Sequence, residues 1–494
     1  MAFSSTVFLL YFLPLAIILY LASAFSKSLQ NTVLVALGLF FYAWGQVEYL
    51  YLLILTIVVD YLLGLCLQLF AKHQSIRESI FILGLFANIG LLVGAKYIPF
   101  LSSTVNRLSQ GVVPIYEWIL PIGISFYIFS GISYLIDVYS QKAPVAKNPI
   151  SLALYFTFFP KLMQGPVMKY RDFFQQDYQR KVTLQEISDG ACRFIVGLSK
   201  KVIISNQMGI VTDRIFQINR MEEMSLALAW LGIIAYALQI YFDFAGYSDM
   251  AIGLAHIFGF NLPENFNYPY ISKSISEFWR RWHITLGAFF REYVYFPLGG
   301  SRNINLDTIV RNLAVVWILT GLWHGANWTF LMWGMWNFVF IAFERITGFD
   351  KMAIAPGWKH LYASLVILLG WVLFRSSSIL EAGSYYSAMF NFIRYPLIND
   401  YFWLFLREFL LFFILGILFS MPFAPKINKW FKEGIHIRIF ASPNKVFPIH
   451  YLTEDPRLKW VFDLAYPFAM ILLLIVSYIY LVNGSYTSFI YFQF

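Results

Sequence analysis

The chain has 494 residues, of which 59% are apolar, 20% aromatic and only 13% charged, with a net charge of +9. Its mean hydropathy is +0.63, which excludes a soluble multidomain protein, since apolar segments of about 17–25 residues recur along its length, as a hydrocarbon core of about 30 Å requires. The excess of Lys and Arg fits cytoplasmic loops facing membrane lipids with anionic headgroups, and no nucleic-acid partner is expected. Two cysteines, Cys66 and Cys192, are too few for a disulfide framework or a thiolate metal site, and no bound metal is expected.

The expected unit is one all-α polytopic membrane domain over 1–494. Met1-Ala-Phe-Ser-Ser has no basic region, and the first apolar run, 7–25, is long enough to span, so it reads as a retained helix and not a cleaved signal. Spans are predicted near 7–25, 31–46, 49–71, 79–101 and 116–138. Lys27, then Lys72 and Arg77, then Lys142 and Lys147 follow the first, third and fifth of them. This alternation places the N-terminus outside the cytoplasm, with Lys96 and Arg107 as exceptions. Residues 151–167 are apolar but hold Pro160 and Pro166, and Lys169, Arg171, Arg180 and Lys181 follow at once. A re-entrant or interfacial segment fits them better than a crossing.

Residues 183–217, with Lys200-Lys201 in their middle, read as a surface-lying helix. A strong span at 225–246 ends in Tyr241-Phe-Asp243-Phe-Ala-Gly-Tyr-Ser-Asp249-Met. Two carboxylates there are costly unless paired or facing a polar cavity; the plainer alternative is an interfacial loop capping a helix at 250–260. Asn261-Leu-Pro-Glu-Asn-Phe-Asn-Tyr-Pro is a loop. Further spans fall near 308–323, 326–346, 358–376, 401–421 and 461–483, for about 11–13 transmembrane or re-entrant helices in all. The domain thus divides into N-terminal spans (1–150), a motif-bearing core (151–346) and C-terminal spans (347–494). A basic connector at about 422–460, with Lys426, Lys429, Lys432, Arg438 and Lys445, is expected in the cytoplasm.

The chemistry concentrates between Glu277 and Gly325. On a helical wheel of 277–295, Glu277, Arg280, Arg281, Arg291 and Glu292 share one arc of about 120°. Phe278, Trp279, Trp282, Leu286, Phe289 and Phe290 cover the other side, with His283 at the seam. This pattern predicts an interfacial amphipathic helix with a Glu277–Arg281 pair. Its arginines would meet headgroups or the phosphates of an anionic donor. His324 follows a sixteen-residue apolar stretch whose only charge is Arg311, and Gly321 and Gly325 flank it. A lone apolar-face histidine is usually a core residue, but an ionisable group inside a membrane defaults to a functional hypothesis. His283 and His324 lack the i,i+4 spacing of a helix-borne zinc pair, and no Gly-x-Ser-x-Gly elbow occurs. General-base activation of a hydroxyl for attack on a thioester needs only one neutral imidazole and a group to hold the oxyanion.

Three motifs carry a family resemblance: Glu277-Phe-Trp-Arg-Arg-Trp-His283-Ile-Thr-Leu, Tyr241-Phe-Asp243-Phe-Ala-Gly-Tyr-Ser-Asp249-Met-Ala-Ile-Gly-Leu, and Gly321-Leu-Trp-His324-Gly-Ala-Asn. They resemble the membrane-bound O-acyltransferase family, most nearly its bacterial branch of alginate O-acetylation subunits. Phe3-Ser-Ser, Leu120-Pro-Ile-Gly-Ile-Ser-Phe-Tyr-Ile-Phe, Phe159-Pro-Lys-Leu-Met-Gln-Gly-Pro166 and the tail Phe489-Ile-Tyr-Phe-Gln-Phe494 extend the resemblance. It implies helices ringed around a tunnel or funnel, with His324 and His283 as the catalytic histidines. Asp243, Asp249, Trp323 and Asn327 would support them, and Arg280 and Arg281 would contact the donor. It further implies no permanently bound cofactor and acetyl-CoA as the cytoplasmic donor. The protein would lie in the bacterial inner membrane and hand acetyl groups to an extracytoplasmic acetyltransferase partner for an exported polysaccharide. Relatives that serve peptidoglycan, cellulose or teichoic acid remain alternatives within the family. Outside it stand a proton-coupled transporter, against which the lack of matching broken helices counts, and a non-catalytic scaffold for polysaccharide export.

Overall fold

Long apolar runs with no water to satisfy their backbone must bond internally, and helices do this segment by segment. A computed structural model of the chain shows that outcome, and it describes residues 1–109, 111, 120–180, 182–220, 223–300, 305–423 and 456–484. Among these there is no strand, and eight helical stretches are long and apolar enough to cross a membrane. The chain is therefore an all-α polytopic membrane protein. The expected connector lysines and arginine from Lys426 to Lys445, the tail motif at Phe489–Phe494, Lys181, and the start of the 116–138 span lie outside the described residues.

Two compact units emerge, Met1–Gly190 with Ala251–Pro263, and Ala191–Met250 with Glu264–Phe494. In the first, helices Lys27–Gln46, Leu50–Leu69, Gln74–Leu108 and Ile124–Tyr139 follow the predicted spans. The proline-broken stretch forms two helices, Pro149–Thr157 and Phe159–Leu162, neither long enough to span. Lys161 of that stretch is buried, donates to the Ser130 hydroxyl at 2.9 Å, and lies over the Tyr155 ring.

In the second unit three expectations are corrected. The region expected to lie on the surface, 183–217, is instead a continuous helical stretch whose apolar window is 61% buried. It runs as Leu184–Ser199, a π-helical turn Lys200–Ser205, and Asn206–Arg220. Its polar residues looked like a wet face because their partners lie far away in the sequence. Of the two readings open for Asp243 and Asp249, the interfacial loop or cap is overturned: both sit inside one unbroken helix, Leu226–Ile257. Gly197 and Gly246 let these two backbones touch, since a Cβ on Gly197 would stand 2.6 Å from the Gly246 carbonyl oxygen.

The third correction concerns 277–295. The amphipathic helix of the wheel is broken at His283, whose φ of +45° is left-handed, into Ile275–Arg281 and Ile284–Phe290 with a π-helical turn after it. The apolar side, Phe278, Trp282, Leu286, Phe289 and Phe290, is buried in protein and so is not an interfacial face. The Glu277–Arg281 pair forms as expected, at 2.9 Å. Beyond it stand Leu306–His324, Trp328–Thr347, Pro356–Arg375, Asp400–Phe419 and Pro456–Asn483, close to the predicted spans.

Candidate active site

Why His324 sits where it does follows from its glycines. The Leu306–His324 helix ends on it, and Gly325 continues in extended backbone. A Cβ on Gly321 would lie 2.7 Å from the Phe330 carbonyl oxygen, and one on Gly325 would strike the Phe330 ring. Only glycine lets the Trp328–Thr347 helix come this near. The imidazole, 5% exposed, is then enclosed by rings: Trp323 at 4.8 Å, Trp333 at 4.9 Å and Phe374 at 5.2 Å between centroids, all near edge-on. Such T-shaped contacts fix a ring by shape.

His283 is held differently. It occupies the break between the two short helices, is 2% exposed, and meets Phe244 edge-on at 4.6 Å. Its Nδ1 lies 3.0 Å from Asn265 Oδ1, and its Nε2 is buried with no hydrogen-bond partner among the described residues. Trp323 stands against this ring too, at 5.9 Å, so one indole touches both imidazoles. The turn lies outside the candidate spans, and burial pushes the His283 imidazole well below the usual histidine range, to about 3. At neutral pH it is therefore uncharged, with a lone pair on one ring nitrogen.

The two carboxylates lie in an ion-paired layer. Asp243, 1% exposed, pairs with the equally buried Lys201 and accepts from the Ser205 hydroxyl at 3.4 Å. Asp249 binds Arg193 at 2.7 Å and Lys200 at 2.6 Å, and Arg193 also grips Glu264 through two bonds of 2.6 Å. Of the two readings of these carboxylates, burial with partners is what the fold adopts.

The sequence profile of the membrane-bound O-acyltransferase family matches residues 6–350. Over 398 residues, 79% of this chain and 78% of the relative, the chain is 41% identical to the "Probable alginate O-acetylase AlgI" of Azotobacter vinelandii. The chain belongs to the membrane-bound O-acyltransferase family. It is 34% identical to the "Peptidoglycan O-acetyltransferase" of Helicobacter pylori over 414 residues, 77% of this chain and 78% of that one. To the "Teichoic acid D-alanyltransferase" of Bacillus subtilis it is 30% identical over 318 residues, 61% and 78% of the two chains. It is an O-acyltransferase of the multi-pass membrane kind, which decides against the transporter and scaffold readings.

The fold of this acyltransferase gathers His283, His324 and Trp323 into one aromatic neighbourhood. It leaves the other sequence candidates in separate tasks. Arg281 is engaged by Glu277 and donates to the Asn267 carbonyl at 3.1 Å, while Arg280 is exposed. Asn327 caps the Trp328–Thr347 helix, accepting from Thr329 N–H at 3.2 Å and donating to the Ser377 carbonyl at 2.9 Å.

Sequence reading passed over Asn265, Arg193 and Glu344, and placed Lys201 on a surface-lying helix. Glu344 is buried and accepts from the first amides of the Ile275–Arg281 helix, Ile275 N–H at 2.5 Å and Ser276 N–H at 2.9 Å. It thus anchors the segment that leads to His283, as an anion at a helix N-terminus does. One clue was available for three of them: Arg193, Lys201 and Glu344 lie beside or within apolar runs, where burial of a charge requires a partner, whereas Asn265 sits in a loop that carries no such signal.

Proposed function

We propose that this acyltransferase takes an acetyl group from acetyl-CoA at the cytoplasmic face of the bacterial inner membrane and delivers it for O-acetylation of an exported polysaccharide such as alginate. Delivery runs through an extracytoplasmic acetyltransferase partner, within a polysaccharide-modification complex. In this reading His324 is the general base: it takes the proton of the acceptor hydroxyl as the oxygen attacks the thioester carbonyl. The C–S bond then breaks, and the leaving thiolate recovers a proton. His283 assists across Trp323, with its free Nε2 as the accepting atom. Asp243 and Asp249 act only through the helix that carries Phe244, and Arg280, the exposed arginine, is the better candidate for a donor phosphate than the engaged Arg281.

The observation that carries the reading is the pair of enclosed imidazoles sharing one indole, in a chain whose similarity is greater to the two O-acetyl-transferring relatives than to the D-alanyl one. The test measures base-releasable acetate on isolated envelope polysaccharides, with wild type, His324→Ala and no protein compared at matched membrane levels. Loss of acetate in both the variant and the empty strain is expected, and the fraction that loses it names the acceptor. Full acetylation in the His324→Ala strain at normal protein level would overturn the assignment.

A further inference from the structure

We propose that Asn265 is a positioning residue that locks His283 in the tautomer protonated on Nδ1, leaving the lone pair on Nε2. This deepens the reading above and rests on it only for the claim that His283 serves acyl transfer.

The role of one donor here is beyond choice. A peptide N–H only donates, and the Thr285 N–H points at one side-chain atom of Asn265 at 3.3 Å; the Thr285 hydroxyl reaches the same atom at 2.9 Å. That atom must be the amide oxygen, since the opposite flip would set an NH2 group against a peptide N–H. The NH2 end is occupied in turn, donating to the Ser248 hydroxyl at 3.2 Å. The fixed oxygen then faces His283 Nδ1 at 3.0 Å. An oxygen bearing no hydrogen makes a bond there only if Nδ1 carries the proton; the other tautomer would bury two lone pairs face to face. With Nδ1 protonated and the ring neutral, Nε2 is the unprotonated nitrogen, and it is the one with no partner among the described residues.

The hold on Asn265 is equally specific. Its carbonyl accepts the Ile284 N–H at 3.0 Å, so the residues just after the left-handed His283 hang on the same asparagine. Its neighbour Glu264 is clamped by Arg193, which also binds Asp249 on the Leu226–Ile257 helix. A non-glycine residue persists at φ +45° where its surroundings over-determine it, and these bonds do so. The imidazole's ring contacts are Phe244 and Trp323 and its hydrogen-bond partner is Asn265, none of which titrates. The tautomer is thus set by one hydrogen bond and not by a nearby charge.

The test uses purified full-length protein labelled with 15N-histidine, the His283 signals being identified by their loss in His283→Gln. Wild type is expected to show a protonated Nδ1 and a bare Nε2. Asn265→Leu, of similar volume but with no acceptor, is expected to reverse or mix the tautomer. It should lower kcat on the order of 10–100-fold, with the donor KM within about twofold. Asn265→Asp, which keeps an accepting oxygen, is expected to retain the Nδ1 proton and most of the rate. Its pH–rate profile should move to higher pH, since a carboxylate beside the ring favours the imidazolium. A wild-type ring protonated on Nε2, or a tautomer unchanged in Asn265→Leu even if its rate falls, would overturn the proposal. A reversed tautomer with acyl transfer at full rate would instead remove His283 from the reaction and leave the hold of Asn265 intact. If Asn265→Leu fails to fold, the wild-type spectrum and Asn265→Asp still decide.

Discussion

Two faces of one helix make opposite use of their residues. On Leu226–Ile257, Asp243 and Asp249 meet Lys201, Lys200 and Arg193, a layer of charges each closed by its counter-charge. Their immediate neighbours, Phe244 and Ser248, turn to His283 and Asn265, where the contacts are a ring edge and a neutral hydrogen bond. Buried charge is tolerated where it is paired, and here it lies one residue along the helix from the contacts to the neutral His283 imidazole. The charged face therefore ties the helix to its neighbours, and the uncharged face packs against the candidate site.

The contrast breaks most visibly on the charged face. Lys201→Met leaves Asp243 buried without its ammonium, and a loss of about 3–5 kcal/mol is expected, read as a fall in thermal midpoint of the detergent-solubilised protein. Adding Asp243→Leu should restore most of it. If the single variant melts like wild type, the pair is not the structural closure described here.

On the aromatic side the expected cost is smaller and of a different kind. Gly325→Ala drives a methyl into the Phe330 ring, an overpacking of about 1–3 kcal/mol, and shifts the imidazole of His324. Acyl transfer should fall at least tenfold while Gly383→Ala, inside the helix Ile379–Phe390 with open space around it, leaves transfer unchanged and melting equal or slightly raised. Equal behaviour of the two variants would mean that the glycine does not set the position of His324.

A third effect belongs to the neutral imidazole itself. The folded His283 value of about 3 lies below the ordinary histidine value, so the unfolded chain takes up a proton first as pH falls. The contribution is present in full above about pH 6.5 and declines from there down to about 3, by on the order of 1 kcal/mol per pH unit. His283→Gln should flatten that part of the stability-against-pH curve; an unchanged slope would place the titration elsewhere. The smallest change is expected at Glu277→Gln, which opens a half-exposed pair with Arg281 worth about 0.3–0.5 kcal/mol. A large loss of transfer there, with melting unaffected, would make Arg281 a donor contact after all.

Much of this protein was legible in its residues. Composition and run length fixed the membrane class, Pro160 and Pro166 marked the broken segment, and the Trp-His and His-Gly pairs singled out His283 and His324. Run length is legible because spanning a bilayer is a local requirement, met by one segment at a time. What periodicity misread was any polar residue whose partner is remote. Lys200 and Lys201 read as a wet helix face, and Asp243 and Asp249 as a helix end, because 42 residues separate Lys201 from Asp243 and 56 separate Arg193 from Asp249. The wheel ran through His283 because a left-handed residue between two helices leaves no mark in hydrophobic period.

The sequence alone, then, determined a helical membrane enzyme and marked two histidines as its candidate site, since apolar length and short motifs are properties of neighbouring residues. Only the tertiary structure decided that the carboxylates are closed by lysine and arginine, that one indole joins the two imidazoles, and that Asn265 holds His283. Each of these is a contact between segments distant along the chain, and burial has meaning only once those segments have met.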